Sequence, residues 1–339
     1  MLMTDASSSS DSLLRRTLFG TGVALAGSYV GLQAALRWQR SRLPAPSTLP
    51  KVVDADPRTF ELSEGRVNYY VRPGRGTPVV LLHSFNAAAS PHEIQPIFDH
   101  LAATTERPLY ALDWFGFGRS ARPDVRYDAA LYERQLYRFL ETTVETPADV
   151  VALSLGCEYA GRVALQAAPL VRRLVLVAPT GLTADRDRSL ALRLALDAAG
   201  HVGLFELLFY RLTRRASLRR FYRRQVFVDP DTVSNDLVDA AYTTSHAQGA
   251  HYAPRRFVDG SLFLDAVAET VYARLYRPTL LLTPADPART VQRFDRLPQV
   301  LDANERDLRH ALLPGGLLPH WEAPEPCFEA LDDFLTPDP

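Results

Sequence analysis

The sequence has little cysteine and almost no net charge. Two of its 339 residues are cysteine, Cys157 and Cys327, so neither a disulfide framework nor a cysteine-based zinc site is expected. The 38 basic and 39 acidic residues leave a formal net charge of −1, and no nucleic-acid recognition module is present, so nucleic acid is not an expected partner. No Gly-x-Gly-x-x-Gly follows a first strand, which argues against a dehydrogenase. We therefore expect no cofactor and no metal, and the 47% of hydrophobic residues suffice for one sizeable core.

The first 59 residues differ in character from the rest. Residues 1–16 are polar and serine-rich, residues 17–36 are an uncharged stretch of a length that just spans a bilayer, and residues 37–59 read as a linker. We expect an uncleaved membrane anchor, with arginines on both sides leaving its orientation open. The run Leu14–Phe19 resembles a twin-arginine export signal, and a soluble accessory helix is a further alternative.

Further along, a strand of β-branched and apolar residues leads into a serine flanked by small residues. Val150–Leu153 precedes Ser154, and Gly156 follows two positions later, while Ala152 stands where glycine is usual. Small residues at these positions allow a sharp strand-to-helix turn that exposes the serine hydroxyl. The pattern predicts a nucleophile elbow, the alternative being a strand that ends in a helix-capping serine. Next to it, Cys157 is expected to fill the core, and Glu158 is expected to be either a solvated residue or a residue of the helix start.

Short apolar runs and helical stretches alternate along the chain. The predicted strands are Pro78–Leu82, Leu109–Leu112, Val150–Leu153, Arg173–Ala178, Thr279–Thr283 and Leu308–Leu313, and the predicted helices between and after them are Ala129–Val144, Glu158–Ala168 and Pro326–Leu335. Fully apolar strands that alternate with helices predict a mostly parallel sheet covered on both faces, an α/β fold.

Three further motifs appear in order around the elbow: the pair His83-Ser84, the turn Asp113–Ser120 and the run Glu322–Glu325. With them, residues 60–335 resemble the α/β-hydrolase superfamily. The resemblance implies an α/β-hydrolase core over 60–179 and 278–339 with a helical cap over 180–277. It also implies that Ser154 is the nucleophile, that the backbone N–H groups of Phe85 and Leu155 form an oxyanion hole, and that Asp286 is the acid of the triad. Asp113 is expected to be structural.

The base of the triad is missing from its usual place. In the resembling family a histidine stands five residues before the glutamate of the last motif, but here that position is Leu317, and a count from Pro314 reaches Leu318. His320 lies two or three residues further on, some 5 to 10 Å along the chain, so it serves as base only if the loop is rerouted. His246 and His251 of the cap are alternative bases.

The cap is predicted to be helical over Ser189–Ala199, Gly203–Thr213 and Leu262–Tyr276. Arginines recur from Arg211 to Arg224 among apolar residues, which is typical of a basic amphipathic helix. These arginines either attract anionic lipid or an anionic substrate, or they form a solvated face that pairs with the cap's own acids.

Two functions follow from these patterns. The first is a membrane-associated serine hydrolase in which Ser154 attacks an apolar ester or related acyl substrate, with Asp286 and His320 completing the triad. The second is a hydrolase-fold protein that has lost its base and binds a hydrophobic ligand or a protein partner. The intact elbow favours the first function, and the leucines at the position of the base favour the second.

Overall fold

The computed structural model of the chain describes residues 27–183, 190–287, 290–304 and 308–336. Within them lies an eight-stranded sheet of order β1-β2-β4-β3-β5-β6-β7-β8. Its first two neighbour pairs, β1 with β2 and β2 with β4, are antiparallel, and the others are parallel. The expected mostly parallel sheet is thereby confirmed. The strands are Asp56–Leu62 (β1), Gly65–Arg72 (β2), Val79–Leu82 (β3), Leu109–Leu112 (β4), Ala148–Leu153 (β5), Val171–Val177 (β6), Thr279–Pro284 (β7) and Leu308–Leu313 (β8).

Burial explains which strands the sequence revealed. Every residue of β3, β5 and β7 is buried, because helices cover both faces of the sheet, and these strands read as unbroken apolar runs. The edge strand β1 has no buried residue, and sequence analysis missed it together with its partner β2.

The helices flank this sheet and fill the segment between β6 and β7. They are 27–42 (α1), Gln95–Thr104 (α2), Ala129–Phe139 (α3), Gly156–Gln166 (α4), Leu190–His201 (α5), Leu204–Leu212 (α6), Arg215–Phe221 (α7), Asn235–Ser245 (α8), Tyr252–Val258 (α9), Val267–Thr270 (α10), Leu297–Ala303 (α11), Pro319–Glu322 (α12) and Pro324–Leu335 (α13). Two π-helical turns, Leu140–Val144 and Tyr222–Val226, extend α3 and α7. Helices α5 to α10 all lie in the segment between β6 and β7.

One predicted cap helix is wrong. Instead of a helix over Leu262–Tyr276, the chain forms only α10 and a 3-10 turn over Tyr272–Arg274. The backbone N–H of Leu264 donates to the carboxylate of Glu158, and Ala266 has a φ of +49°. A left-handed residue interrupts an α-helix, so local apolar periodicity was misleading here.

Helix α1 packs against the cap. Leu36 is fully buried, Gln33 Nε2 donates to the carbonyl of Val202 at 3.3 Å, and the Arg40 guanidinium forms two-pronged hydrogen bonds to the Glu206 carboxylate. In the described ranges no helix has the length and apolar character needed to cross a bilayer. Residues 17–26 of the predicted anchor lie outside the described residues, and residues 27–36 belong to α1.

Candidate active site

The candidate nucleophile occupies a strained turn at the end of β5. Ser154 has a φ of +57°, a left-handed conformation that costs a residue with a Cβ about 1 to 2 kcal/mol. Its N–H donates to the carbonyl of Val177 at 2.9 Å, and its own carbonyl accepts from the N–H of Cys157 at 3.1 Å as α4 begins. Neighbouring strand and helix thus fix the serine in the geometry that the elbow motif predicts.

Ser154 lies at a cavity of about 220 Å³. The cavity sits where the loops after β3, β5, β7 and β8 meet, because the carboxyl ends of parallel strands share one edge of the sheet. Its walls are mostly apolar, and the polar groups in them include Ser154, Gln292 and Glu93. The apolar lining residues are Phe85, Leu153, Phe221, Tyr222, Val226, Phe257, Val291, Leu317 and Leu318. Such a cavity suits an apolar ligand held by a few polar contacts.

A glutamine contacts the serine where a base would be needed. Gln292 Nε2 donates to Ser154 Oγ at 2.9 Å, and its Oε1 is buried without a hydrogen-bond partner in the described part of the chain. A carboxamide does not take a proton at neutral pH, so this contact orients the hydroxyl without activating it. Sequence analysis missed Gln292, which lies in the loop after β7 and belongs to none of the motifs.

The predicted acid lies in the same loop. Asp286 is exposed, two residues after the end of β7, and is not among the residues that line the Ser154 cavity. Its role as triad acid stays a prediction.

The predicted base, His320, is turned to other partners. It is 1% exposed in α12, and its Nε2 lies 2.6 Å from the backbone carbonyl of Glu93, so Nε2 carries the proton and donates it. Its Nδ1 has no hydrogen-bond partner among the described residues, and burial lowers its pKa to about 4. Leu317 and Leu318 line the Ser154 cavity, whereas His320 does not. The structure therefore brings two leucines and Gln292 to the serine, and it does not bring His320 there.

The other candidate histidines also contact side chains and backbone groups other than Ser154. His246 stacks on Tyr242 with ring centroids 3.9 Å apart, and His251 Nε2 lies 3.8 Å from the Glu206 carboxylate, close to α1. His83 links two strand ends, since its Nδ1 contacts the carbonyl of Ser84 and its Nε2 accepts from the N–H of Trp114. Among histidines whose side chains are described, none lines the Ser154 cavity.

A buried carboxylate anchors the loop after β3, which lines the Ser154 cavity. Glu93 accepts from Ser84 N–H at 3.1 Å, from Ser84 Oγ at 2.6 Å and from Asn86 Nδ2 at 2.6 Å, and burial raises its pKa. Phe85 between them inserts its ring among Trp114, Phe117, Tyr132 and Tyr159. In the described ranges the backbone N–H groups of Phe85 and Leu155 have no hydrogen-bond acceptor. Two free donors at these positions are compatible with the predicted oxyanion hole.

Two further buried carboxylates connect the segments around the site through hydrogen bonds. Asp113 is fully buried and accepts from Asn68 Nδ2 at 2.6 Å and from Arg119 N–H at 2.9 Å, with burial raising its pKa to about 7. Its expected structural role agrees with these contacts. Glu158 lies in the first turn of α4, as one of its two expectations had it, and the other expectation, a solvated side chain, is wrong, because this residue is fully buried and accepts from Thr180 Oγ1 and from the N–H of Leu264. It joins the elbow helix α4 to the cap.

Comparison with known proteins agrees with this geometry. The sequence model of the alpha/beta hydrolase family matches residues 79–330. A 2-hydroxy-6-oxo-6-(2'-aminophenyl)hexa-2,4-dienoic acid hydrolase of Metapseudomonas resinovorans is 29% identical over 117 residues, 34% of this chain and 40% of that protein. The 1-acylglycerol-3-phosphate O-acyltransferase ABHD5 of Homo sapiens is 36% identical over 121 residues, 33% of this chain and 34% of that protein.

The match thus spans less than half the length of these curated relatives. Among solved structures, the CarC serine hydrolase involved in carbazole degradation superposes with a TM-score of 0.62 at 22% identity, covering 83% of this chain and 98% of that one. A bromoperoxidase from Bacillus anthracis superposes with a TM-score of 0.64 at 18% identity, covering 83% and 99%. At these identities the superpositions show the fold.

Proposed function

The chain belongs to the alpha/beta hydrolase family, and we propose that it binds an apolar ligand bearing a carbonyl or ester oxygen, with that oxygen placed at Ser154. The cavity is walled largely by apolar side chains, which favours a hydrocarbon body. The Ser154 hydroxyl and the free N–H groups of Phe85 and Leu155 are donors suited to a carbonyl oxygen.

One observation favours ligand binding over catalysis. Ser154 Oγ accepts a hydrogen bond from Gln292 Nε2 at 2.9 Å, and leucines line the neighbouring wall of the cavity. Serine attacks a carbonyl effectively only when a base removes its proton. A triad without one member retains only about 10³- to 10⁴-fold catalysis over water, which comes from the oxyanion hole and binding. We therefore expect binding to dominate over turnover.

Ester hydrolysis by Ser154 is the second candidate function. It is favoured by the φ of +57° at Ser154, because strained backbone is typically retained where it serves a site. In this candidate Asp286 is the acid and His320 the base. His320 would have to leave the carbonyl of Glu93 and enter the cavity, which requires the loop before α12 to rearrange.

A single set of experiments separates the two candidates. Purified wild type, Ser154→Ala and His320→Ala are each treated with a fluorophosphonate, and the adduct is measured by intact mass spectrometry. Binding of dodecan-2-one and of dodecane is measured by displacement of a fluorescent apolar probe, the hydrocarbon being the control for the carbonyl group. We expect slow or no labelling, and ketone binding that exceeds hydrocarbon binding and weakens in Ser154→Ala.

Rapid labelling that both variants lose would establish an activated serine with His320 recruited as base and would favour hydrolysis. Rapid labelling lost only in Ser154→Ala would establish an activated serine with another base. Absence of ketone binding by folded wild type would remove the binding proposal.

We also propose membrane association through residues 17–36, as the uncharged stretch suggests. Its test is fractionation of cells that express the full chain or a chain lacking residues 1–26. The association is excluded if both chains stay in the supernatant after ultracentrifugation.

A further inference from the structure

A second cavity adjoins the candidate site. It measures about 580 Å³ and lies between α7 with its π-helical turn and the end of α9. It shares wall residues with the Ser154 cavity, namely Asn86, Phe221, Tyr222, Gln225 and Phe257. The two cavities are therefore adjacent, and we call the outer one the cap groove.

The cap groove has an apolar floor and a cationic rim. Leu212 and Val258, at its edge, are 58% and 54% exposed and leave apolar surface open to a ligand. Arg220 and Arg224, both exposed, also line it. An apolar channel that ends at cations fits a chain molecule with a charged end.

Arg220 and Arg224 are two of the five arginines between residues 211 and 224 that form no ion pair in the described ranges, while the other two arginines of this segment do form one. Arg215 pairs with Asp239, and Arg223 with Asp231 at 3.2 Å. Arg220 and Arg224 have no ion-pair partner in the described ranges. The expectation that this segment pairs with the cap's own acids thus holds for Arg215 and Arg223 and fails for the others, including the two that line the cap groove.

From this arrangement we infer the ligand class: an ester or related acyl compound whose apolar chain runs along the cap groove and ends in an anionic group at Arg220 and Arg224. The inference rests on the proposed function, because the carbonyl of the same molecule is placed at Ser154. Anionic carboxylate, sulfate or phosphate ends would all satisfy two guanidinium groups.

The matched probes are the monomethyl ester and the dimethyl ester of dodecanedioic acid. Both have the same chain and an ester carbonyl, and only the monomethyl ester has an anionic end. Binding is measured by isothermal titration for wild type, for Arg220→Gln/Arg224→Gln, and for the control Arg223→Gln, which removes a charge from the same segment at an arginine that does not line the cap groove. The monomethyl esters of the homologous diacids with 8 and 16 carbons locate the best chain length.

We expect wild type to bind the anionic probe about tenfold more tightly than the neutral one, from two partly exposed charge-assisted contacts. The double variant should lose this preference while it retains the neutral probe, and the control should keep it. The preference should also shrink as salt rises.

Equal affinity of wild type for both probes would overturn the inference and leave the proposed function standing. Failure of both probes to bind folded wild type would overturn both. Unchanged probe binding in the double variant, together with lost binding to vesicles of phosphatidylglycerol, would assign the arginines to a lipid surface and overturn the inference.

Discussion

An imidazole placed in the wall of the Ser154 cavity should make the Ser154 hydroxyl a reactive nucleophile. Leu317 is 7% exposed, lines the Ser154 cavity and occupies the position five residues before Glu322. Leu317→His places a titratable base in this wall, and a well-placed general base contributes about 10²- to 10⁴-fold to rate. We expect fluorophosphonate labelling of Leu317→His to be at least about 100-fold faster than that of wild type, or about 2.7 kcal/mol in activation free energy.

The contact between Gln292 and Ser154 weakens the nucleophile, since Nε2 donates to a lone pair of Oγ that would otherwise be available for attack. Without a base to remove the proton, Gln292→Ala alone should change labelling little, whereas Gln292→Ala combined with Leu317→His should label faster than Leu317→His. Adding Asp286→Asn tests the predicted acid, because an imidazole without its carboxylate partner loses orientation. The gain should rise with pH through the pKa of an imidazole, near 6.5.

The controls are Ser154→Ala in the Leu317→His background, which should abolish labelling, and Leu318→His, the other position reached by counting. The exchange of a buried leucine for histidine costs about 1 to 3 kcal/mol of burial, so the free energy of unfolding is measured in parallel. If both histidine variants fold and bind ligand but label no faster than wild type, the missing base is not what limits Ser154, and the argument from the leucines fails.

Three further predictions concern stability. Ser154→Gly should be about 1 kcal/mol more stable than Ser154→Ala in urea unfolding, because both lose the hydroxyl but only alanine keeps a Cβ at a φ of +57°; equal stability would show that the turn is unstrained. His320 is buried neutral with its pKa lowered to about 4, so the unfolded chain binds a proton between about pH 6.5 and 4 that the folded chain does not. As pH falls over that interval, the free energy of unfolding of wild type should therefore decrease by about 3 kcal/mol more than that of His320→Gln. Parallel pH profiles of the unfolding free energy of the two proteins would contradict the assignment. Arg40→Ala leaves the carboxylate of Glu206, which is 1% exposed, without the guanidinium of Arg40, and it should lower the free energy of unfolding by about 3 kcal/mol and expose α1 to limited proteolysis. The double variant Arg40→Ala/Glu206→Gln should recover part of this loss. An unchanged melting temperature in Arg40→Ala would refute the role of this ion pair.

Local sequence predicted what depends on neighbouring residues in the chain. The buried strands β3, β5 and β7 appeared as apolar runs because both their faces are covered. The elbow appeared because small residues must surround Ser154 at a positive φ. Long-range partners produced the errors: a solvated side chain was one expectation for Glu158, but the residue is fully buried, since its carboxylate oxygens accept from Thr180 and from the distant Leu264.

The sequence by itself determined six of the eight strands of the sheet, the position of the candidate nucleophile and the absence of a histidine at the counted position, because each depends on residue type and spacing within one segment. Only the tertiary structure decided what surrounds Ser154. It placed Gln292 on the hydroxyl from a loop 138 residues away, and it turned His320 onto the backbone of Glu93. The physical reason is that parallel strands bring loops far apart in sequence to one edge of the sheet, where contacts depend on packing and leave no local periodicity.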